Sequence, residues 1–156
     1  MMFTPSARHL RAALVLSLLA TTSCDRSPTG LTPTALSAAK RRWALTAPAA
    51  YQVTISHGCF CVPDVNRPVI VTVRDGQVQS RRYVDTGVDV DPRLASAFPA
   101  INELFGIIDD AIARHSERVD VTFDAARGFP ITVAIDGAAG IADDESFYGT
   151  RDFIAR

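Results

Sequence analysis

The chain has 156 residues, of which 47% are hydrophobic, with 16 basic side chains, 17 acidic side chains and three cysteines. This composition predicts one ordinary globular domain and excludes a solenoid, a coiled coil and a disordered tail. Nucleic acid is disfavoured as a partner, because phosphate binding needs clustered surplus cations and the formal net charge is only -1.

The amino terminus is typical of an export signal. The basic residues Arg8 and Arg11 precede an apolar run, Ala12 to Ala20, far shorter than the roughly 20 residues that cross a bilayer. Small residues and then Cys24 follow, an order that resembles the lipobox of bacterial lipoproteins, in which the chain is cut before a cysteine that becomes diacylated. Thr21 stands where a typical lipobox has leucine. A plain secretory signal with an incidental cysteine is the alternative, and either signal exports the chain.

These features divide the chain into a lipoprotein signal peptide at residues 1–23, a flexible tether at residues 24–33 and one domain at residues 34–156. The tether is rich in Pro, Gly, Ser and Thr and has no hydrophobic periodicity. Acyl chains on Cys24 would anchor the domain to the outer face of a bacterial membrane, since each buried methylene contributes about 0.8 kcal/mol.

Hydrophobic periodicity predicts the first elements of the domain. Leu36, Ala39 and Trp43 recur at helical spacing and predict a short amphipathic helix from Thr34 to Leu45. An alternating pattern then predicts a strand that opens at Tyr51 and is interrupted at Gly58.

Two further strands are predicted on either side of Asp75-Gly76, at residues 69–73 and 77–84. Because Asp-Gly tolerates the positive φ angles of a type I′ turn, these strands should form a hairpin in which Val73 faces Val78.

The second half of the domain begins with the clearest helical pattern, predicted from about Pro99 to His115. Its apolar residues recur at helical spacing and are Ile101, Leu104, Phe105, Ile108 and Ile112. Alternation at residues 119–123 and 131–135 predicts a second hairpin, and residues 146–154 are predicted to form a closing strand. The fold class is therefore α+β, with an antiparallel sheet of about five or six strands packed on one long helix and a short N-terminal helix.

Several motifs occur in one order across the domain. They are Trp43, Cys59-Phe60-Cys61, Asp75-Gly76, Glu103-Leu104-Phe105, Gly128-Phe129-Pro130, Asp136 and Ile141-Ala142-Asp143-Asp144-Glu145. Together they resemble a family of bacterial exported proteins and lipoproteins, domain of unknown function 6174. The resemblance implies export and a single folded unit, and it supplies no catalytic residue.

The first candidate site is His57-Gly58-Cys59-Phe60-Cys61. A disulfide between Cys59 and Cys61 is favoured, because they are the only thiols left once Cys24 is lipidated and export places them in an oxidising compartment. So short a bridge requires a turn, which Gly58 and Pro63 permit. Two unbridged, buried thiols are one alternative. A metal site of His57, Cys59 and Cys61 is the other, disfavoured because structural zinc takes four ligands.

The second candidate site is acidic. Asp143, Asp144 and Glu145 follow one loop, and a second loop carries Asp85, Asp89 and Asp91. These oxygens suit calcium, but neither stretch has the spacing of a calcium loop, so solvated carboxylates are favoured.

Three functions remain open. The leading one is a membrane-tethered, non-enzymatic domain that binds an unknown protein or small molecule and needs no cofactor. The second is a thiol-redox or metal-handling protein centred on Cys59 and Cys61. The third is a hydrolase that uses loop carboxylates, although no nucleophile elbow, zinc-protease helix or phosphate-binding loop supports an enzyme.

Overall fold

A computed structural model describes Met1 and residues 30–138, 140–141 and 143–156. The predicted signal peptide after Met1 lies outside these residues, as does Cys24, the predicted site of lipid attachment. The helices are α1 (Pro33–Thr46) and α2 (Ile101–Ala113), and the strands are β1 (Ala50–Cys59), β2 (Val69–Arg74), β3 (Gln77–Tyr83), β4 (Arg118–Phe123), β5 (Pro130–Asp136) and β6 (Ser146–Ala155). Two short 3-10 helices, Pro63–Asn66 and Pro92–Ala97, lie in the connections.

The six strands form one antiparallel sheet in the order β3-β2-β1-β6-β5-β4. Each half of the chain supplies a three-stranded meander, and the two meanders meet where β1 pairs with β6. The prediction of an α+β domain with five or six antiparallel strands is confirmed. The last strand lies at the centre of the sheet, so both halves of the chain are needed to complete it.

The two helices are nearly equal in length, with 14 residues in α1 and 13 in α2. The prediction of one long helix accompanied by a short one is therefore wrong. Both helices join the core: Trp43 of α1 packs edge-on against Tyr51, and the Tyr51 hydroxyl accepts a hydrogen bond from the N–H of Ile101 at the start of α2. The hydrophobic pattern of α1 is weak because only three of its side chains are buried, but the contacts of Trp43 make the helix part of the core.

The two helices also contact each other. The Trp43 indole N–H donates to Oδ1 of Asn102 at 2.8 Å, and Lys40 forms an ion pair with Asp109. Ile112, which the pattern assigned to the buried face of α2, instead lines an open groove beside Leu36. It lies near the end of the helix, where the groove meets solvent.

The first predicted hairpin is confirmed. Val73 pairs with Val78, and Asp75 and Gly76 have φ angles of 50° and 73°, as a type I′ turn requires. The second predicted hairpin is confirmed as β4 and β5. In that hairpin Ile131 is an unpaired bulge residue between two register positions, which explains why it is exposed despite the alternating pattern.

One predicted boundary is wrong. Gly58 does not interrupt β1, because it pairs with Phe147 of β6 and the ladder continues to Cys59. Within the segment predicted as a tether, Leu31 is only 5% exposed and Thr32 caps α1 by accepting from the N–H of Ala35. The polar composition of the segment concealed one buried leucine and one helix cap.

Candidate functional site

The end of β1 and the start of β6 lie side by side, with Cys59 paired with Ser146. Beside this pair is an open cleft of about 340 Å³, here named the β1–β6 cleft. Its lining residues are Gly58, Cys59, Phe60, Asp143, Glu145 and Phe147. The cleft thus unites the cysteine motif with one of the two acidic segments, although more than 80 residues separate them in the chain.

The two cysteines lie where the chain leaves the sheet. The sulfur atoms of Cys59 and Cys61 are at disulfide-bonding distance, and their Cα atoms are 5.4 Å apart, within the normal range for a bridge. The N–H of Cys59 donates to Oδ1 of Asn66 at 3.3 Å, which ties the turn to the following 3-10 helix. The expected turn occurs after Cys59, and Pro63 begins the 3-10 helix that follows it.

His57 lies on β1 but takes part in a different set of contacts. Its Nε2 atom forms a hydrogen bond with the Ser146 hydroxyl at 2.9 Å, and its ring stacks on Tyr148 with 4.2 Å between centroids. Burial lowers the pKa of His57, and the nearby backbone of Ala97 offsets part of this effect. Its Nδ1 atom is buried and makes no hydrogen bond of normal geometry with a described residue.

The structure does not assemble the metal site considered for His57, Cys59 and Cys61. Within residues 30–138, 140–141 and 143–156, no group of three or more His, Cys, Asp or Glu side chains is placed to hold a metal ion. His57 is occupied by Ser146 and Tyr148, and the two cysteine sulfurs face each other.

The second acidic segment does not line the cleft, and each of its three carboxylates has a basic partner. The ion pairs are Asp85–Arg67 at 2.7 Å, Asp89–Arg82 at 2.9 Å and Asp91–Arg93 at 2.6 Å. Hydrogen bonds from the Arg93 side chain and backbone lower the pKa of Asp91 to about 2. These three aspartates lie in the connection between β3 and α2, and each is paired with an arginine.

The carboxylates at the cleft differ from those of the second acidic segment. Asp143, Asp144 and Glu145 form no ion pair with a described residue, and neither does Asp136, which lines an adjoining pocket beside Glu145 and Phe147. Arg118 lines the same pocket but pairs with Asp120. This end of the sheet therefore presents uncompensated negative charge.

Apolar side chains stand exposed at the same place. Phe60 is 83% exposed and Phe147 is 50% exposed, and Val62 and Ile141 nearby in the chain are also more than half exposed. The sequence motif named Phe60 only as the residue between two cysteines. That Phe60 and Phe147 line one cleft was missed, because it depends on how β6 lies beside β1, and no local pattern encodes that register.

None of the helices in the described part of the chain is both long enough and apolar enough to span a membrane. A model of a family described as a family of unknown function (DUF6174) matches residues 35–155. No curated protein and no solved structure matches the chain.

Proposed function

The chain belongs to the DUF6174 family of unknown function, and we propose that it is a cell-envelope lipoprotein whose domain acts by binding a partner. The observation that carries the proposal is the β1–β6 cleft, where Phe60 and Phe147 are exposed beside unpaired carboxylates. Exposed aromatic side chains around a concave surface are typical of interaction sites, because their burial supplies much of the free energy of association.

The start of the domain supports anchoring through Cys24. The N–H of Gly30 donates to Oδ1 of Asp120 at 3.2 Å, and Leu31 is buried in the core, so the domain is held firmly from residue 30 onward. The six residues from Cys24 to Gly30 reach at most roughly 20 Å when fully extended. Acyl chains on Cys24 therefore hold the domain close to the membrane surface.

Lipid attachment is tested by mass spectrometry of the protein purified from membranes and by the substitution Cys24→Ser. We expect the wild-type chain to begin at a diacylated Cys24, and the variant to accumulate as precursor or to leave the membrane. The double variant Cys59→Ser, Cys61→Ser is the matched control, since it removes two cysteines and should stay anchored. An unmodified Cys24 within a longer mature chain contradicts the proposal.

The binding role is tested by placing a photoreactive amino acid at single positions of the anchored protein in intact cell envelopes. We expect a discrete crosslinked product from position 60 in the cleft and none from position 45, where Leu45 is exposed on α1. Equal crosslinking from both positions would show that contact is unspecific and would contradict a binding role for the cleft.

A second function is favoured by one observation, the exposed turn that brings the sulfurs of Cys59 and Cys61 together. In a thiol-redox role, the Cys59–Cys61 disulfide would accept two electrons and two protons from a dithiol of another protein, which becomes a disulfide. Incubation of the oxidised protein with a reduced two-cysteine peptide tests this exchange by mass. Oxidation of the peptide that is lost in the Cys59→Ser, Cys61→Ser variant would favour redox over simple binding.

A further inference from the structure

We infer that the β1–β6 cleft binds a segment of a partner protein in which cationic side chains neighbour apolar ones, and that it does so near the membrane surface. This inference rests on the proposed binding function and specifies the chemistry of the partner. Two properties of the cleft, its charge and its exposed apolar surface, select this occupant, and the short distance in the chain from Cys24 to Gly30 keeps the partner near the membrane.

The charge of the cleft selects a cationic partner. Eight ion pairs engage carboxylates elsewhere in the described chain, including those of Asp64, Asp85, Asp89, Asp91 and Asp109. Four other described carboxylates also lack an ion pair, but none of them lines the cleft: Asp75, Asp110, Glu117 and Asp124. Asp143 and Glu145 at the cleft have no such partner among the described residues, and Asp136 and Asp144 beside them have none either. A lysine or arginine of another chain would supply the missing charge, which favours recognition and fast association.

The apolar surface of the cleft selects a partner that also buries hydrophobic side chains. Phe60 and Phe147 line the cleft, and Gly58 lies between them in the lining with no side chain of its own. A Cβ atom at Gly58 would meet the Cβ of Phe147 at 3.6 Å, an ordinary contact, so the glycine leaves room there that a larger residue would fill. An aliphatic or aromatic side chain of the partner fits this space.

The described domain begins at the same end of the sheet as the cleft. The N–H of Gly30 donates to the side chain of Asp120 near the start of β4. In the backbone register of the sheet, Arg118 at the start of β4 lies opposite Asp136 of β5, and Ile135 of β5 lies opposite Ser146 of β6. Ser146 pairs in turn with Cys59, so the anchored edge strand and the cleft lie at the same end of the sheet. Three strand spacings of about 4.8 Å separate them, or roughly 14 Å.

A bilayer is a poorer occupant than a protein. Anionic headgroups attract basic protein surfaces, and the unpaired carboxylates of Asp143 and Glu145 would be repelled by them. The exposed aromatic side chains and the carboxylates beside them together suit a surface that is both apolar and positively charged, which a protein segment supplies and an anionic membrane does not.

The test uses the chain 24–156 with Cys24→Ser, which contains every described helix and strand and needs no lipid. The probe is a hexapeptide with two lysines next to two leucines, compared with peptides in which glutamate replaces lysine or serine replaces leucine. Amide chemical shifts map the binding site, and titration at two salt concentrations gives the affinity. We expect saturable shifts at Gly58, Phe60 and Phe147 with the lysine–leucine peptide only, weakened by salt.

Variants assign the binding to the cleft. The double variant Asp143→Asn, Glu145→Gln should lose about fivefold in affinity, and Gly58→Val should lose more by filling the cleft. Asp110→Asn is the matched control, because Asp110 is an exposed carboxylate on α2 without an ion pair among the described residues, and it should bind like the parent chain. Equal losses at Asp110 and at the cleft would overturn the inference.

Other occupants give distinct results. Binding to vesicles rich in anionic lipid that is as strong as binding to the peptide would overturn the inference in favour of the membrane. Dimerisation of the chain that Gly58→Val abolishes would overturn it in favour of a second copy. Because the tested chain carries no lipid, these results do not depend on whether Cys24 is acylated. If lipid attachment is disproved, the peptide titration still tests binding at the cleft.

Discussion

Gly128 lies against the backbone carbonyl of Ala39 so closely that a Cβ atom at position 128 would overlap it. The contact joins the loop between β4 and β5 to the middle of α1. Thr46 and Arg127 reinforce it, since the Thr46 hydroxyl donates to the Arg127 carbonyl at 3.1 Å and the Arg127 guanidinium donates to the Thr46 carbonyl at 3.0 Å. The next residue, Phe129, packs against Trp43. The Gly-Phe-Pro motif is thus the docking point of the first helix.

Gly128→Ala should destabilise the domain by about 2–4 kcal/mol, because the new Cβ atom overlaps Ala39 and the residue has a φ of +82°. Chemical denaturation monitored by the fluorescence of Trp43 measures the change. Gly106→Ala is the matched control: it makes the same substitution within α2 where nothing lies near the new atom, and it should stabilise by about 0.5–1 kcal/mol. Equal effects of the two substitutions would show that the contact with Ala39 is unimportant.

Local patterns of the sequence predicted the local elements well. The alternation at Tyr51, Val53 and Ile55 and the Asp75-Gly76 turn depend on neighbours within a few residues, so the strand and the hairpin could be recognised without the rest of the chain. The spacing of Leu104, Phe105 and Ile108 likewise marks the buried face of α2, since a helix repeats every 3.6 residues.

The cleft could not be predicted in the same way. It exists because Cys59 pairs with Ser146, and this pairing of distant strands leaves no mark on the spacing of nearby residues. The sequence indicated both the cysteine motif and the acidic segment at Asp143 as candidate sites, but it treated them as separate. From the sequence alone, Asp89 and Asp143 were equally good candidates. The structure separates them, because Asp89 forms an ion pair with Arg82 and Asp143 forms none with a described residue.

Gly76→Val should destabilise the domain by about 1 kcal/mol or more. Gly76 has a φ of +73° with open space around it, so the cost comes from forcing a β-branched residue into a left-handed backbone conformation. Gly76→Asn is the matched control and should cost less, because asparagine tolerates this conformation. The midpoint of urea denaturation checks both variants. A midpoint unchanged by valine would contradict the type I′ turn.

His57 should make the stability of the domain fall in mildly acidic solution. Burial lowers the pKa of His57 below its ordinary value of 6.5, so the unfolded chain takes up a proton at a pH where the folded chain does not. The stability due to the neutral ring is complete above about pH 6.5 and is lost as the pH falls toward the folded-state pKa, by at most about 1.4 kcal/mol per pH unit.

The measurement is the free energy of unfolding of the wild-type protein and of His57→Gln between pH 7.5 and pH 5. Glutamine can keep a hydrogen bond to the Ser146 hydroxyl but does not titrate, so the variant should show a shallower decrease on acidification. Parallel curves for the two proteins would mean that His57 is protonated equally in the folded and unfolded chains.

Cys59 and Cys61 should be bridged by a disulfide. Their Cα atoms are 5.4 Å apart, within the normal range for a bridge, and a sequence separation of two closes so small a loop that the bridge constrains the unfolded chain very little. Reduction should therefore leave the unfolding midpoint nearly unchanged while it shifts the amide resonances around Phe60. Loss of a structural metal would instead loosen or unfold the domain.

Alkylation of the purified protein under denaturing, non-reducing conditions, followed by mass spectrometry, decides between these states. We expect neither cysteine to be alkylated until a reductant is added. Two alkylated cysteines without metal would mean that the pair is held as free thiols. Two alkylated cysteines released together with stoichiometric zinc or copper would mean that the sulfurs bind a metal, because both thiolates would then become reactive only when the ion leaves.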